Sequence, residues 1–289
     1  MTLRELLTIG TNLLKEQGNE DAITESEQLL CHLLHKDRIY LYAYGREPAD
    51  EMLCQSFFDL LRRRTGGTPL QYILGGTVFM GIPLTVNESV LIPRQDTELL
   101  AEEALKELSR LTRFLKHHKV LDLCTGSGAL AIALAKLDHN VRVTATDLSS
   151  EALEVARKNA EAAGVADAIR FCRGDLFEAV KGQGSFELIL SNPPYIASDV
   201  IDTLAVEIRD HEPRMALDGG ADGLDLIRRI LKDAPDHLKP GGLLLMEIGY
   251  DQGPAVQALV SAMGVPFVRS RILRDLGGND RVLKARKPR

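Results

Sequence analysis

The chain of 289 residues is 45% hydrophobic and 26% charged, with a formal net charge of −6, which describes an ordinary globular protein with room for about two domains. Charge is spread along its length, without the basic half that grips a phosphate backbone, and no apolar run reaches the ~18 residues of a membrane span. Cys31, Cys54, Cys124 and Cys172 are scattered without CxxC spacing, which argues against a zinc site or disulfide framework and suits a reducing cytoplasm.

Three amphipathic patterns open the chain: "LRELLTIGTNLLKEQG", "TESEQLLCHLLHK" and "ADEMLCQSFFDLLRRR". Apolar residues recur every three or four positions, and Gly18 and Gly66 stand where helices stop. Acids within the first pattern make it a helix rather than a signal peptide. Residues 1–66 therefore read as a small helical bundle. The arginines of "LRRRTGG" complement the dipole of a helix end and form an exposed polar face. Residues 67–94 turn to short β-rich runs punctuated by Gly and Pro, a hairpin-like connector.

Residues 95–289 form the third region. In "PRQDTELL" (93–100), Asp96, Thr97 and Glu98 suit a helix N-terminus, and a second role beside a ligand is equally open. Strand-length runs follow: "KVLDLC", "RVTATD", "IRFCRGD", "FELILS" and "GLLLMEIG". Helical patterns separate most of them, which predicts a parallel sheet covered on both faces. "GPAVQALVSAMG" reads as one more helix. "PFVRSRIL" and "DRVLKARK", joined by "RDLGGN", then predict a terminal antiparallel pair. His117 and His118 have no partner spaced to complete a metal site and read as surface residues. The tail from Arg269 is basic and reads as a solvated edge.

Chemistry gathers where strands end. "LDLCTGSGALAIALA" is a strand, a glycine turn and a helix start, in which Gly126 and Gly128 permit a sharp turn and a close ligand approach. The next strand ends in Asp147, placed to accept from two ribose hydroxyls. Asp175 ends the third, where an acid accepts from an adenine amine. The pattern G-S-G-A-L-A puts Ala131 where a dinucleotide site prefers a third glycine, which weakens a nicotinamide reading.

The fourth strand ends in "SNPPY". Neither proline can extend a ladder, and each restricts the residue before it, so the corner is stiff. The Asn192 side-chain oxygen and the Pro193 carbonyl can accept the two hydrogens of a planar NH2 group, and Tyr195 offers a face to that group. A nitrogen so held points its π lone pair at whatever sits over Gly126. If that is a sulfonium methyl, the arrangement is in-line methyl transfer. Cys124 reads as a small residue beneath the ligand rather than a methyl-accepting thiol.

The turn, the strand-end aspartate and NPPY together resemble the Rossmann-like methyltransferases that act on amine or amide nitrogens. "GGTPLQYILGGTVFMGIPLTV", "LIPRQDTE", "EIRDHEPRMALDGGADGL", "MEIGYDQG" and "DLGGNDRV" narrow the resemblance to the release-factor glutamine methyltransferase family. The resemblance implies a seven-stranded, mostly parallel sheet with a C-terminal antiparallel hairpin. It implies S-adenosyl-L-methionine as methyl donor, S-adenosyl-L-homocysteine as product, and the glutamine of the Gly-Gly-Gln loop of class I release factors as acceptor. Cys124, Thr125, Gly126, Ser127, Gly128, Asp147, Asp175, Leu176 and Asn192 would hold the cofactor. Asn192, Pro193, Pro194 and Tyr195 would hold the substrate, with Asn192, Pro193 and Tyr195 catalytic. Residues 1–66 would dock the release factor. A monomer without membrane or direct nucleic-acid contact, acting in the cytoplasm, is expected. An adenine amino-methyltransferase is the alternative, since the same grip suits that NH2 group. Three positions depart from the family pattern: Cys124 stands where glycine is common, Leu176 where a larger aromatic is possible, and His211 where tyrosine is common.

Overall fold

The computed structural model describes residues 1–111, 117–262 and 267–289. The chain divides into two compact units, residues 1–75 with 205–211, and residues 76–204 with 212–289.

The first unit is helical: α1 (Leu3–Glu16), α2 (Ala22–Leu34), α3 (Arg38–Tyr44), α4 (Glu51–Thr65) and α5 (Leu70–Leu74). Thr2 and Glu5 form a capping box at α1, and the Asp37 and Asp50 side chains accept from backbone N–H groups at the starts of α3 and α4. These caps supply acceptors that the first turn of a helix lacks. Leu6, Leu14, Leu29, Leu30, Phe57 and Leu61 form the core. A Cβ on Gly10 would lie 2.8 Å from the Phe57 ring, so this glycine sets how closely α1 and α4 approach. Arg62 and Arg63 are exposed as expected, but Arg64 is buried. Its guanidinium pairs with Glu25 at 2.6 Å and Glu207 at 2.7 Å. Glu207 belongs to a later short helix, which linear sequence cannot bring to Arg64.

The second unit opens with an antiparallel hairpin, β1 (Gly76–Phe79) and β2 (Ile82–Thr85), followed by α6 (Asp96–Leu111), β3 (His118–Leu123), α7 (Ala129–Leu137), β4 (Val141–Asp147), α8 (Ser150–Ala162), β5 (Ile169–Arg173) and β6 (Phe186–Ser191). After α9 (Val206–Arg209), which belongs to the first unit, come α10 (Asp225–His237), β7 (Leu238–Glu247), α11 (Gly253–Ala262), β8 (Arg269–Arg274) and β9 (Asp280–Arg286). Met263 and Gly264 of the expected helix and Pro266 of the expected strand lie outside the described residues. His118 corrects its surface expectation: it is the fully buried first residue of β3, because pairing with β4 starts one residue earlier than the apolar run suggests.

The sheet order is β5-β4-β3-β6-β7-β9-β8, with β3 to β7 parallel and β9 antiparallel to both neighbours. This is the seven-stranded α/β methyltransferase fold. Alternate side chains of each inner strand enter opposite cores, as the twofold strand period requires. Leu188, Leu190, Leu243 and Leu245 join one cluster with residues of α6 and α7, while Ile189, Leu244 and Met246 join the other with α10 and α11. The chain runs outward through β3, β4 and β5, then returns to place β6 on the other side of β3. Ligands of open α/β sheets bind at such a reversal, beyond the strands' carboxyl ends.

Candidate active site

The loops leaving β3, β4, β5 and β6 wall a cavity of about 310 Å³, closed further by Val90, Leu91, Pro93, Thr97, Met215 and Leu226. Its volume lies at the small end of the range for small-molecule sites.

The turn after β3 is held from below. Thr125 donates its hydroxyl to Asp122 at 2.6 Å, and its backbone N–H bonds the Thr146 carbonyl. Asp122 is fully buried, and burial pushes its carboxyl up to about 7. Cys124, Gly126 and Gly128 adopt φ of 59°, 55° and 82°. The two glycines have different reasons to be glycine. A Cβ on Gly128 would come within 3.0 Å of Ile132 and 3.1 Å of Ala156, whereas one on Gly126 would meet nothing within 4 Å. Gly128 therefore serves the packing of α7 against α8, and Gly126 keeps an open side toward a ligand. Cys124 tolerates a left-handed φ that glycine adopts without strain. Burial raises its thiol pKa, with Asp147 adding to the shift, so the sulfur stays protonated.

Asp147 stands at the end of β4. Its Oδ2 accepts from the Gly126 N–H and its Oδ1 from the Ser149 N–H, both at 2.9 Å. Burial raises its pKa against these bonds. Each carboxylate oxygen has a second lone pair, so the pair of vicinal hydroxyls of a ribose can still be accepted. Asp175 also lines the cavity, and its Oδ2 accepts from Arg229 at 2.7 Å. Arg229 is on α10, and no local pattern marked it. Leu176, buried with φ 47°, completes this wall.

Asn192 lines the same cavity, and its Nδ2 donates to the Thr97 hydroxyl at 3.3 Å. Pro194 lines it too, whereas Gly128, Pro193 and Tyr195 lie outside its wall. The corner is braced from behind. Gln252 donates its amide to the Tyr195 carbonyl at 2.9 Å, and the Tyr195 hydroxyl donates to Glu247 at 3.1 Å. A Cβ on Gly223 would stand 2.3 Å from the Tyr195 carbonyl oxygen, and one on Gly219 would stand 2.8 Å from the Tyr195 Cα. The glycines of "DGGADGL" thus let that segment lie directly against the corner. Arg94 adds a clamp, donating to both oxygens of Glu212 at 2.6 and 2.8 Å. Pro93 lies in the segment for which a role beside a ligand was open, whereas residues 89–92, Glu212, Met215 and Glu247 were not singled out from the sequence. Their segments carried family-like patterns, but side-chain roles depended on contacts far apart in the chain.

Turn, carboxylate and asparagine corner on a seven-stranded sheet with an antiparallel final strand define an α/β methyltransferase. Residues 5–75 match the PrmC N-terminal domain, and residues 96–221 match the methyltransferase small domain. The chain is 40% identical to the release factor glutamine methyltransferase of Geobacter sulfurreducens, covering 99% of this chain and 96% of that protein. It is 36% identical to the protein of that name from Clostridium acetobutylicum, covering 99% and 98%. Among solved structures, the T. thermophilus 16S rRNA N2 G1207 methyltransferase, in complex with AdoMet and guanosine, shares the fold. It has a TM-score of 0.52 at 19% identity, over 73% of this chain and 49% of that one. The chain belongs to the release factor glutamine methyltransferase family.

Among the described residues, no cluster of His, Cys, Asp or Glu could hold a metal ion, and no helix is long and apolar enough to cross a membrane.

Proposed function

We propose that this chain transfers a methyl group from S-adenosyl-L-methionine to the side-chain amide nitrogen of the glutamine in the Gly-Gly-Gln loop of class I release factors. The observation that carries the reading is the Asn192 amide on a rigid corner, lining the same cavity as Gly126 and Asp147. When bound, the cofactor supplies an electrophilic methyl on a sulfonium and leaves as S-adenosyl-L-homocysteine. Cys124 to Ser127 would cradle it, Asp147 would accept from the ribose hydroxyls, and Asp175 with Leu176 would border the base.

Asn192 Oδ1 and the Pro193 carbonyl accept the two hydrogens of the glutamine amide, while Pro194 and Tyr195 border its plane. The nitrogen forms its new bond to carbon as the carbon–sulfur bond breaks, and a nitrogen-bound proton then leaves to water. An amide nitrogen is a poor nucleophile, so alignment carries the rate. Proximity and orientation can supply ~7–11 kcal/mol. No strong base is needed, because the methylated nitrogen is very acidic. Tyr195 does not provide one: burial and the neighbouring Glu247 hold its phenol protonated.

Residues 1–66 dock the release factor, residues 67–94 connect, and residues 95–289 carry the chemistry. The enzyme acts as a cytoplasmic monomer on protein rather than nucleic acid. Purified release factor, incubated with labelled methyl donor and mapped by peptide, should carry label on that glutamine alone. Label on adenine in nucleic acid, with an unlabelled release factor, would refute the reading.

A further inference from the structure

An asparagine amide has an oxygen that accepts and a nitrogen that donates, and they are nearly identical in shape. Turned the wrong way, Asn192 would present two hydrogens to a substrate nitrogen that also carries two hydrogens. The proposed chemistry at Asn192, on which this inference rests, therefore needs something to choose the orientation. The corner itself does not, because neither proline touches that choice by hydrogen bonding to the side chain.

The choice is made from α6 and β7. Asn192 Nδ2 lies 3.3 Å from the Thr97 Oγ1. A hydroxyl both donates and accepts, so Thr97 alone would tolerate either face of the amide. Behind it stands Glu247, at the end of β7 and only 1% exposed. Its Oε1 accepts from the Tyr195 hydroxyl, and its Oε2 is buried without a partner at ordinary hydrogen-bond length. The carboxylate thus has accepting capacity left for the Thr97 hydroxyl, whose hydrogen bonding, together with that of Tyr195, works against the burial that raises Glu247. An ionised carboxylate only accepts. Once the single Thr97 proton is directed to Glu247, the lone pairs of Thr97 are all that remain for Asn192. The Asn192 NH2 must then face Thr97, and its Oδ1 is left for the substrate.

We propose that Glu247 is a positioning residue for methyl transfer. Acting through Thr97, it selects the Asn192 amide orientation that accepts the substrate hydrogens, and through the Tyr195 hydroxyl it fixes the other end of the same corner. It touches neither substrate nor cofactor. One carboxylate thereby reaches both ends of NPPY, Tyr195 directly and Asn192 through Thr97.

The test uses the full-length enzyme with intact release factor. Glu247→Gln keeps size and shape but brings an NH2 donor that can turn the Thr97 proton toward Asn192. Its kcat should fall at least about tenfold, as expected when an interaction realised in the transition state is lost. Affinity for S-adenosyl-L-homocysteine should stay within about twofold, because the cofactor cradle is untouched. Thr97→Val should lose kcat similarly, whereas Thr97→Ser, which keeps the hydroxyl, should recover most of it. Glu247→Gln combined with Thr97→Val should be little worse than either alone, since both break one relay.

The pH profile gives an independent signature. Groups around the Glu247 carboxylate are Tyr195, Thr97 and Asp96 from α6, and Arg281 from β9. Glu247 is the one whose protonation frees Thr97 to turn. The wild-type kcat should therefore fall as pH drops through the raised Glu247 value, and Glu247→Gln should lack that limb. Wild-type kcat in Glu247→Gln, or a Thr97→Ser enzyme as slow as Thr97→Val, would overturn the proposal. So would a loss appearing in cofactor affinity instead of kcat. Should Glu247→Gln fail to fold, the Thr97 pair decides alone. A wild-type enzyme that leaves the glutamine unlabelled refutes the proposed function itself, a separate outcome.

Discussion

Replacing Asp147 with alanine should separate cofactor binding from folding. The carboxylate gives up two backbone hydrogen bonds, from Gly126 and Ser149. Ordinary hydrogen bonds contribute about 1 kcal/mol each, so their loss alone would cost the fold about 2 kcal/mol. Against this, burial raises the Asp147 pKa, which means that the ionised form is disfavoured in the fold. The sign follows from proton linkage. With the folded pKa above the unfolded value of about 3.9, the folded state binds more protons between the two, so stability falls as pH rises through that window. Above the folded pKa the apoprotein carries this cost in full, and alanine removes it. The two terms oppose each other, and the melting temperature should move by only a few degrees.

Cofactor affinity has no such offset. Two ribose hydroxyls bonding a charged acceptor contribute about 1.5–3 kcal/mol each, so even the lower end predicts a loss of about a hundredfold. Calorimetric titration with S-adenosyl-L-homocysteine, paired with thermal unfolding of the unliganded protein, measures both quantities. Unchanged affinity would refute the assignment. A collapse in melting temperature would show that the carboxylate holds the loop rather than the ligand.

The remaining expectations use the same separation of roles. Asn192→Ala should keep cofactor affinity but lose most single-turnover methylation. Asn192→Asp should bind cofactor at least as well as wild type yet turn over slowly, because an added negative charge stabilises the sulfonium ground state more than the charge-dispersed transition state; wild-type chemistry in the alanine variant would reduce NPPY to a corner. Gly128→Ala should cost about 1–3 kcal/mol in urea unfolding, from strain at φ 82° and crowding by Ile132 and Ala156. Gly126→Ala, at φ 55° with open space around its Cβ, should cost about 1 kcal/mol of stability and show its main loss in cofactor affinity. Arg64→Met should destabilise by about 3–5 kcal/mol, because Glu25 is left without its buried partner; a shift under about 1 kcal/mol in urea unfolding would place that ion pair among weak surface pairs.

Local pattern decided a good deal of this protein. The leucines of α1, α2 and α4 announce their helices because an apolar stripe at helical spacing has few other ways to be buried. The strand-length runs ending at Leu123, Asp147, Arg173 and Ser191 announce strands by alternating with helical patterns, and β3 and β6 are almost wholly buried because both their faces are covered. Gly126, Asp147 and Asn192 are legible for a related reason: each follows directly from a strand end, so a few adjacent residues specify both the turn and the chemistry. Where a strand is broken by its own backbone, pattern fails. β7 starts at Leu238, four residues before the run that suggested it, because Pro240 and the two following glycines conceal a strand that neighbouring β6 nevertheless pairs.

Tertiary structure alone decided the contacts that aim those groups. Thr97 reaches Asn192 from 95 positions away, Tyr195 reaches Glu247 across 52, and Arg229 reaches Asp175 across 54. Arg64 is buried rather than solvated because residues 205–211 bring Glu207 to it. A side chain's polarity records what it can bond, whereas its partner is chosen by the order in which strands and helices are laid beside one another. That order places β6 next to β3 and β7 next to β6, so the ends of separate segments become neighbours around one cavity.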